Sequence, residues 1–190
     1  VYMSILDEMN NDEPSITKIS KLIEKDGAIS TRILSIVNSA YLSLPQRVFK
    51  IDQAVTLLGL RNIRTILMSI HLFQKFEMSC APTFSTSLLW DHSIRTSRLA
   101  GTLAKSLSPT TSPDDAMLGG ILHDIGKLAL AFIFSDEYSE VIRIVDNTAI
   151  RLWQAEKTII GYTHAEAGAY LMGRWGLPPD IVDSIGRHHQ

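Results

Sequence analysis

Cysteine is nearly absent from this chain: Cys80 is the single thiol in 190 residues. One cysteine excludes an internal disulfide and suits a reducing compartment. No pattern around Cys80 marks it as a nucleophile, so it reads as an ordinary thiol. A marked excess of either charge sign is missing too. Eighteen Lys and Arg face 20 Asp and Glu, for a formal net charge of −2. No basic excess favours a nucleic-acid surface, and no like-charge run marks a tail. The longest apolar stretch, around residue 125, is interrupted by His123, Asp124 and Lys127, so it is not expected to span a membrane. The start carries no signal-peptide pattern. Strand-like alternation, hairpin signals and repeats are lacking. The chain opens at Val1 and stops at Gln190, directly after a histidine pair, so both ends are expected to be cuts in a longer protein.

What is present is helical periodicity almost throughout, which predicts an all-α fold. Hydrophobic residues make up 45%, enough for a substantial core. Ile16, Ile19, Leu22 and Ile23 form one amphipathic face, and Ile29, Ile33, Ile36, Val37 and Ala40 the next. Pro45 interrupts. Ile51, Ala54, Val55 and Leu58 resume the pattern until Gly59 ends it. Ile63, Ile66, Leu67, Ile70 and Phe73 define a longer helix. Residues 77–85, with Pro82, read as a loop and a subdomain boundary. A long helix over residues 87–107 has the stripe Leu88, Leu89, His92, Thr96, Leu99, Ala100, Leu103 and Leu107. Ser112-Pro113-Asp114-Asp115 then supplies an N-cap, a first-turn proline and first-turn acids. That start opens a buried helix carrying His123. Tyr138, Val141, Ile142, Val145, Ala149 and Leu152 share the face of another. Thr163-His164-Ala165-Glu166 is a capping box, continued by Leu171, Met172 and Trp175. Gly176-Leu177-Pro178-Pro179 breaks the chain before a last helix with Ile181, Val182 and Ile185.

The most informative stretch is Gly119-Gly120-Ile121-Leu122-His123-Asp124-Ile125-Gly126-Lys127-Leu128. From Met117 to Phe134 the only ionisable residues are His123, Asp124 and Lys127. A buried carboxylate or imidazolium needs partners. His92 sits on the apolar stripe of its helix where a Leu is expected. His188 and His189 extend the face of Ile185, and His164 occupies a helix start. Neutral imidazole is the commonest metal ligand, and a mixed His/Asp set suits Fe, Mn, Zn or Ni. The candidate ligands are therefore His92, His123, Asp124, His164, His188 and His189. The alternative is a metal-free cluster of mutually hydrogen-bonded side chains, with His164 a tolerated first-turn residue and His188 or His189 half-solvated. His71, without company, reads as an ordinary core histidine. Trp90, Trp153 and Trp175 read as packing, and Arg61 and Arg64 as a solvated face. Arg95, Arg98, Lys127 and Arg187 fall near the cluster by helical spacing. They could hold a phosphate or pair with a structural acid.

Leu122-His123-Asp124-Ile125-Gly126-Lys127 resembles the signature of the HD superfamily of metal-dependent phosphohydrolases. Residues 19–41, Ile51-Asp52-Gln53-Ala54-Val55, Leu58-Gly59-Leu60-Arg61, Leu89-Trp90-Asp91-His92-Ser93 and Arg174-Trp175-Gly176-Leu177-Pro178 narrow the likeness. Together they resemble the HDOD domain, the HD-related output domain of bacterial signalling proteins. The resemblance implies an HD-like helical bundle over residues 85–190 with an added N-terminal helical subdomain over residues 1–78. It implies a cytoplasmic module that contacts other signalling proteins or attached receiver and sensor domains, in a family that generally lacks demonstrated catalysis. The six candidate ligands match ligand positions of the related HD-GYP phosphodiesterases. The expected function is thus a signal-transduction output or scaffold domain, with Asn38 and Ser39 either at a partner surface or a helix C-terminal cap. The alternative is a metal-dependent phosphohydrolase or cyclic-nucleotide phosphodiesterase. There Asp124 and Lys127 would serve catalysis, Lys127 by stabilising phosphoryl charge.

Overall fold

The computed structural model describes residues 1–40, 47–77, 84–107 and 110–190. The expectations placed on Tyr41, Pro45, Cys80 and Pro82, and on the side chains of Ser39 and Ala40, lie outside them. The described residues form α1 (Tyr2–Met9), α2 (Ile16–Glu24), α3 (Gly27–Ala40), α4 (Ile51–Glu77), α5 (Thr86–Leu107) and α6 (Pro113–Leu122). They continue with α7 (Ile125–Ile133), α8 (Ser135–Asn147), α9 (Leu152–Ile159), α10 (His164–Arg174) and α11 (Pro179–Arg187). No strand occurs among the described residues, and the fold is all-α.

The isoleucine pattern of the first 77 residues converts into core except at Ile16, expected on the α2 face but exposed at the helix start. Ile19 and Ile23 of α2 are fully buried, as are Ile33 and Val37 of α3. On α4, Ile51, Ala54, Val55 and Leu58 and then Ile63, Ile66, Leu67, Ile70 and Phe73 are all buried. Gly59 separates these two runs with φ +76° and ψ 158°, a conformation that a side chain resists. The kink divides α4, which packs against both α2 and α3. Asn38 ties the end of α3 to the chain ten residues later. Its amide donates to the carbonyls of Leu34 and Val48, and its oxygen accepts the Val48 N–H, each at 2.8 Å. That fastening is a structural task for Asn38. The same continuous core reaches Met117, Leu122, Leu128, Met172 and Ile185, so one hydrophobic interior serves both parts of the chain.

On α5 the structure corrects the expected stripe. Leu88, Leu99, Leu103 and Leu107 are more than half exposed, while Leu89, Ser93, Ser97 and Ala104 are buried. The reason lies in α6. A Cβ at Gly120 would come within 2.5 Å of the Ser97 Cα and 2.7 Å of its nitrogen. The two helices approach so closely that only small residues fit between them, and the large leucines are turned outward. Periodicity registers large apolar residues and misses a seam of serine and glycine.

The expected single buried helix through His123 is two helices, α6 and α7, with the break at His123-Asp124. Asp124 has φ −99° and ψ 6°, outside the helical well. Glycine again sets the packing. A Cβ on Gly126 would lie 2.0 Å from the His164 carbonyl oxygen and 2.6 Å from the Gly168 nitrogen, so α7 presses directly on α10. Helices α1 and α9 have no counterpart in the sequence reading. The face expected to run through Ala149 stops at Asn147, where α8 ends.

Candidate metal centre

Four elements deliver the candidate residues: α5 brings His92, the α6–α7 break brings His123 and Asp124, the first turn of α10 brings His164, and the end of α11 brings His188 and His189. Adjacent residues of a regular helix point about 100° apart. The break at Asp124 removes that restriction and lets His123 and Asp124 address the same point. His164 is aimed by its capping box, in which Thr163 Oγ1 accepts the Glu166 N–H and Glu166 accepts the Thr163 N–H.

All six side chains converge. The Asp124 carboxylate, 1% exposed, stands between two imidazole groups. Its Oδ2 lies 3.4 Å from His92 Nε2 and 3.2 Å from His123 Nε2, which are 3.1 Å from each other. Its Oδ1 lies 3.3 Å from His164 Nε2 and 3.6 Å from His188 Nε2. His164 Nε2 is in turn 3.2 Å from His188 Nε2 and 2.8 Å from His189 Nε2. Each group of three, His92-His123-Asp124 and His164-His188-His189, gathers its ligand atoms within 4.8 Å. Lys127 Nζ donates to Asp124 Oδ2 at 2.6 Å. Of the other nearby cations, Arg95 is close enough to act on His92, while Arg187 pairs with Asp183 at 2.9 Å. Arg61 and Arg64 lie on an exposed face, as expected, and Arg61 also bonds Asp115 of α6.

The hydrogen bonds behind the imidazoles decide what the centre can hold. His123 Nδ1 meets the Gly120 carbonyl at 2.9 Å, and His188 Nδ1 meets the Ile185 carbonyl at 2.7 Å. His164 Nδ1 meets Glu156 Oε2 at 2.6 Å. Carbonyl and carboxylate oxygens only accept, so these contacts place the ring proton on Nδ1. In the neutral rings the Nε2 lone pairs then face inward, toward one another and toward a carboxylate. Asp124 Oδ1 has no hydrogen-bond partner although it is buried. Lone pairs facing a carboxylate at this range need a cation among them. Ring nitrogens and carboxylate oxygens are the donors that divalent transition metals take, and the residues present fit such ions. A metal-free cluster would need extra protons to hold it together.

The electrostatics carry the same signature. Burial works to raise the Asp124 carboxyl, but the surrounding imidazoles of His123, His164 and His188, together with the Lys127 charge, hold it far below the usual carboxylate range. Burial opposes protonation of His164, yet the neighbouring Asp124 carboxylate and the hydrogen bond to Glu156 raise it above the usual histidine value. His189 is pushed down to about 4, by burial first and then by the charges of His188 and His164. His92 is lowered, chiefly by burial, against the pull of Asp124.

Sequence reasoning missed Glu156. It is fully buried on α9, accepts the His164 backbone N–H on Oε2 at 2.8 Å and the Tyr138 hydroxyl on Oε1 at 3.0 Å. The signal was an acid on the inner face of α9, next to buried Ala155, eight residues before His164. His71, in contrast, lies apart from the centre, stacked on Tyr2 with ring centroids 4.1 Å apart. Trp153 flanks the centre, with its ring 6.2 Å from that of His189. A groove of about 550 Å³ opens beside His92, His123 and His188, with Thr96, Gly119 and Gly120 along it.

Known proteins share this architecture. A solved HDOD domain protein of unknown function from Geobacter sulfurreducens is 29% identical, with a TM-score of 0.71 over 100% of this chain and 63% of that one. A phosphohydrolase candidate from Shewanella amazonensis is 27% identical, with a TM-score of 0.69 over 100% of this chain and 66% of that one. The MmoQ response regulator of Methylococcus capsulatus is 26% identical, with a TM-score of 0.52 over 100% of this chain and 75% of that one. An uncharacterised protein of Treponema pallidum is 30% identical across 95% of this chain, which spans 35% of that protein's length. The HDOD domain family profile matches residues 1–190 from end to end. The chain belongs to the HDOD domain family.

Proposed function

We propose that this chain is an HDOD module of a signalling protein whose output is a two-metal hydrolytic centre acting on a phosphate ester. One observation carries the reading: a single buried carboxylate, Asp124, presents Oδ2 to His92 and His123 and an unpartnered Oδ1 to His164 and His188. His92, His123 and Asp124 would hold one ion. His164, His188 and His189 would hold the other, with Asp124 shared. Bound divalent metals would supply an acidified water and a Lewis acid for phosphoryl transfer. The chain's own residues do the rest. Asp124 anchors the Lys127 ammonium at 2.6 Å, where it can meet a phosphoryl oxygen. Asp124 itself would serve as a ligand, since its oxygens face imidazoles on both sides. The groove beside His92, His123 and His188 admits substrate from one side. Fe, Mn, Zn and Ni all suit these donors.

The test is metal analysis followed by assay. Protein purified without chelator should carry transition metal and take up two ions per chain when equilibrated with excess Zn²⁺, and Asp124→Asn should hold fewer than one. The loaded wild type should hydrolyse a generic phosphodiester such as bis(p-nitrophenyl) phosphate or a cyclic dinucleotide. A chain that binds no metal and tolerates Asp124→Asn would sink this reading.

A second reading keeps the module as a scaffold without chemistry. It is supported by the outward row Leu88, Leu99, Leu103 and Leu107 on α5, an apolar face left to solvent. Other signalling proteins, or receiver and sensor domains attached to the same chain, would be its partners. Cytoplasmic placement, expected from the lone cysteine and the family, belongs to both readings.

A further inference from the structure

The two halves of the centre are built from different surroundings. In the half formed by His164, His188 and His189, the three imidazoles gather together and two of them, His164 and His188, face Asp124 Oδ1, a buried oxygen with no hydrogen-bond partner. Behind His164 stands a second buried carboxylate, Glu156. It takes the ring Nδ1 at 2.6 Å and the backbone N–H at 2.8 Å, and is itself held by Tyr138. That acid fixes the ring's rotation, keeps the proton on Nδ1 and makes Nε2 a stronger donor. In the half formed by His92 and His123, only two imidazoles are present. The oxygen they share, Asp124 Oδ2, is already engaged by the Lys127 ammonium. The support behind His123 is a neutral carbonyl, that of Gly120. The His92 side chain is 55% exposed, against 1% for His164.

A cation entering the first half meets a free carboxylate oxygen and a buried anion one residue deeper. A cation entering the second must share its oxygen with a positive charge already in place. Both differences act in the same direction. From this asymmetry we infer that the centre fills in a fixed order: the first ion enters the His164 half, with Glu156 as its positioning residue, and the second occupies the His92 half weakly and exchangeably. This rests on the metal-centre reading above and goes beyond it. The state of the module would then be set by occupancy of the exposed half, which opens on the groove, while the inner ion stays put.

The experiment is a titration of metal-free full chain with Zn²⁺, followed by calorimetry against a competing chelator and by elemental analysis after desalting. The wild type should bind two ions in steps at least about tenfold apart, and one ion should survive desalting. Glu156→Gln should weaken the tighter step about 10- to 100-fold and leave the weaker step unchanged. Lys127→Met should tighten the weaker step and narrow the gap. His92→Ala should abolish the weaker step alone, which keeps the test decisive if Glu156→Gln fails to fold. Two ions of equal affinity, a Glu156→Gln variant that loses nothing or loses both steps equally, or a His92→Ala variant that loses the tighter ion would each overturn the order of filling while leaving a two-metal centre intact. Failure of the wild type to bind Zn²⁺ at all would overturn the centre itself.

Discussion

The helices before residue 78 and the helices around the histidines hold together by opposite means. In α2 to α4 the contacts are made by large branched side chains, with Ile19, Ile23, Ile33, Ile63, Ile66 and Ile70 fully buried. Around the centre Leu122, Leu128, Met172 and Ile185 join the same core, but the closest approaches are made where side chains are nearly absent. Gly120 lets α6 lie against Ser97 of α5, and Gly126 lets α7 touch the backbone of α10 at His164 and Gly168. Bulky contacts keep helix axes apart and are forgiving of rearrangement. Backbone contacts bring axes together and forgive nothing. A cluster whose ligands come from four elements needs the second kind, because short side chains such as Asp and His reach a common point only if their helices nearly touch.

The sharpest way to break this contrast is Gly126→Ala. A single methyl there would meet the His164 carbonyl oxygen at 2.0 Å, and backbone cannot step aside as a rotamer can. The expected cost is about 3 kcal/mol or more, seen in denaturant unfolding, together with loss of bound metal. Ile33→Ala should cost about 2–4 kcal/mol by the cavity it leaves, yet its metal content per folded chain should match the wild type. If Ile33→Ala empties the centre while Gly126→Ala does not, the division of labour drawn here is wrong. Asn38→Ala removes the fastening to Val48 and strands its N–H and carbonyl. About 1–2 kcal/mol is expected, again without change at the histidines. Leu103→Ser, on the outward face of α5, should fall within about 0.5 kcal/mol of the wild type by thermal unfolding. A large loss there would mean that this face is covered.

The smallest effect expected is a pH dependence at His71, far from the centre. Burial against Tyr2, followed by the charge of Lys75, lowers its pKa from the ordinary 6.5. The native state therefore binds fewer protons there than the unfolded chain does. The resulting stability is present above 6.5 and fades as pH falls through 6.5 toward the native value. In metal-free protein, His71→Gln should show a shallower decline in Tm between pH 7.5 and 5 than the wild type. An identical slope in both would remove His71 from the account.

How much of this was legible in the sequence follows the same division. The isoleucine faces of α2, α3 and α4 and the interruption at Gly59 could be read off directly, because period and burial coincide there. The histidines and Asp124 could be picked out as polar residues in apolar company, and the structure brings all six together. The packing of α5 could not be read that way. Leu88, Leu99, Leu103 and Leu107 obey the helical period yet face outward, and the serine and glycine seam that displaces them has no hydropathy signal. The break between α6 and α7 was also hidden, since no proline or exposed glycine marks it and the residues on either side are uniformly apolar. Glu156 was obscured by its neighbour Lys157, with which it resembles an ordinary solvated pair. Lys157 in fact reaches Glu166, at 2.9 Å.

The shared carboxylate has a consequence for how such a module changes over generations. The five imidazoles can be lost one by one, each loss degrading one side of the cluster and sparing the other. Asp124 admits no such graded retreat, because both sides draw on the same side chain. A single codon change at that position would alter both sides of the cluster at once while leaving the isoleucine interior nearly as it was.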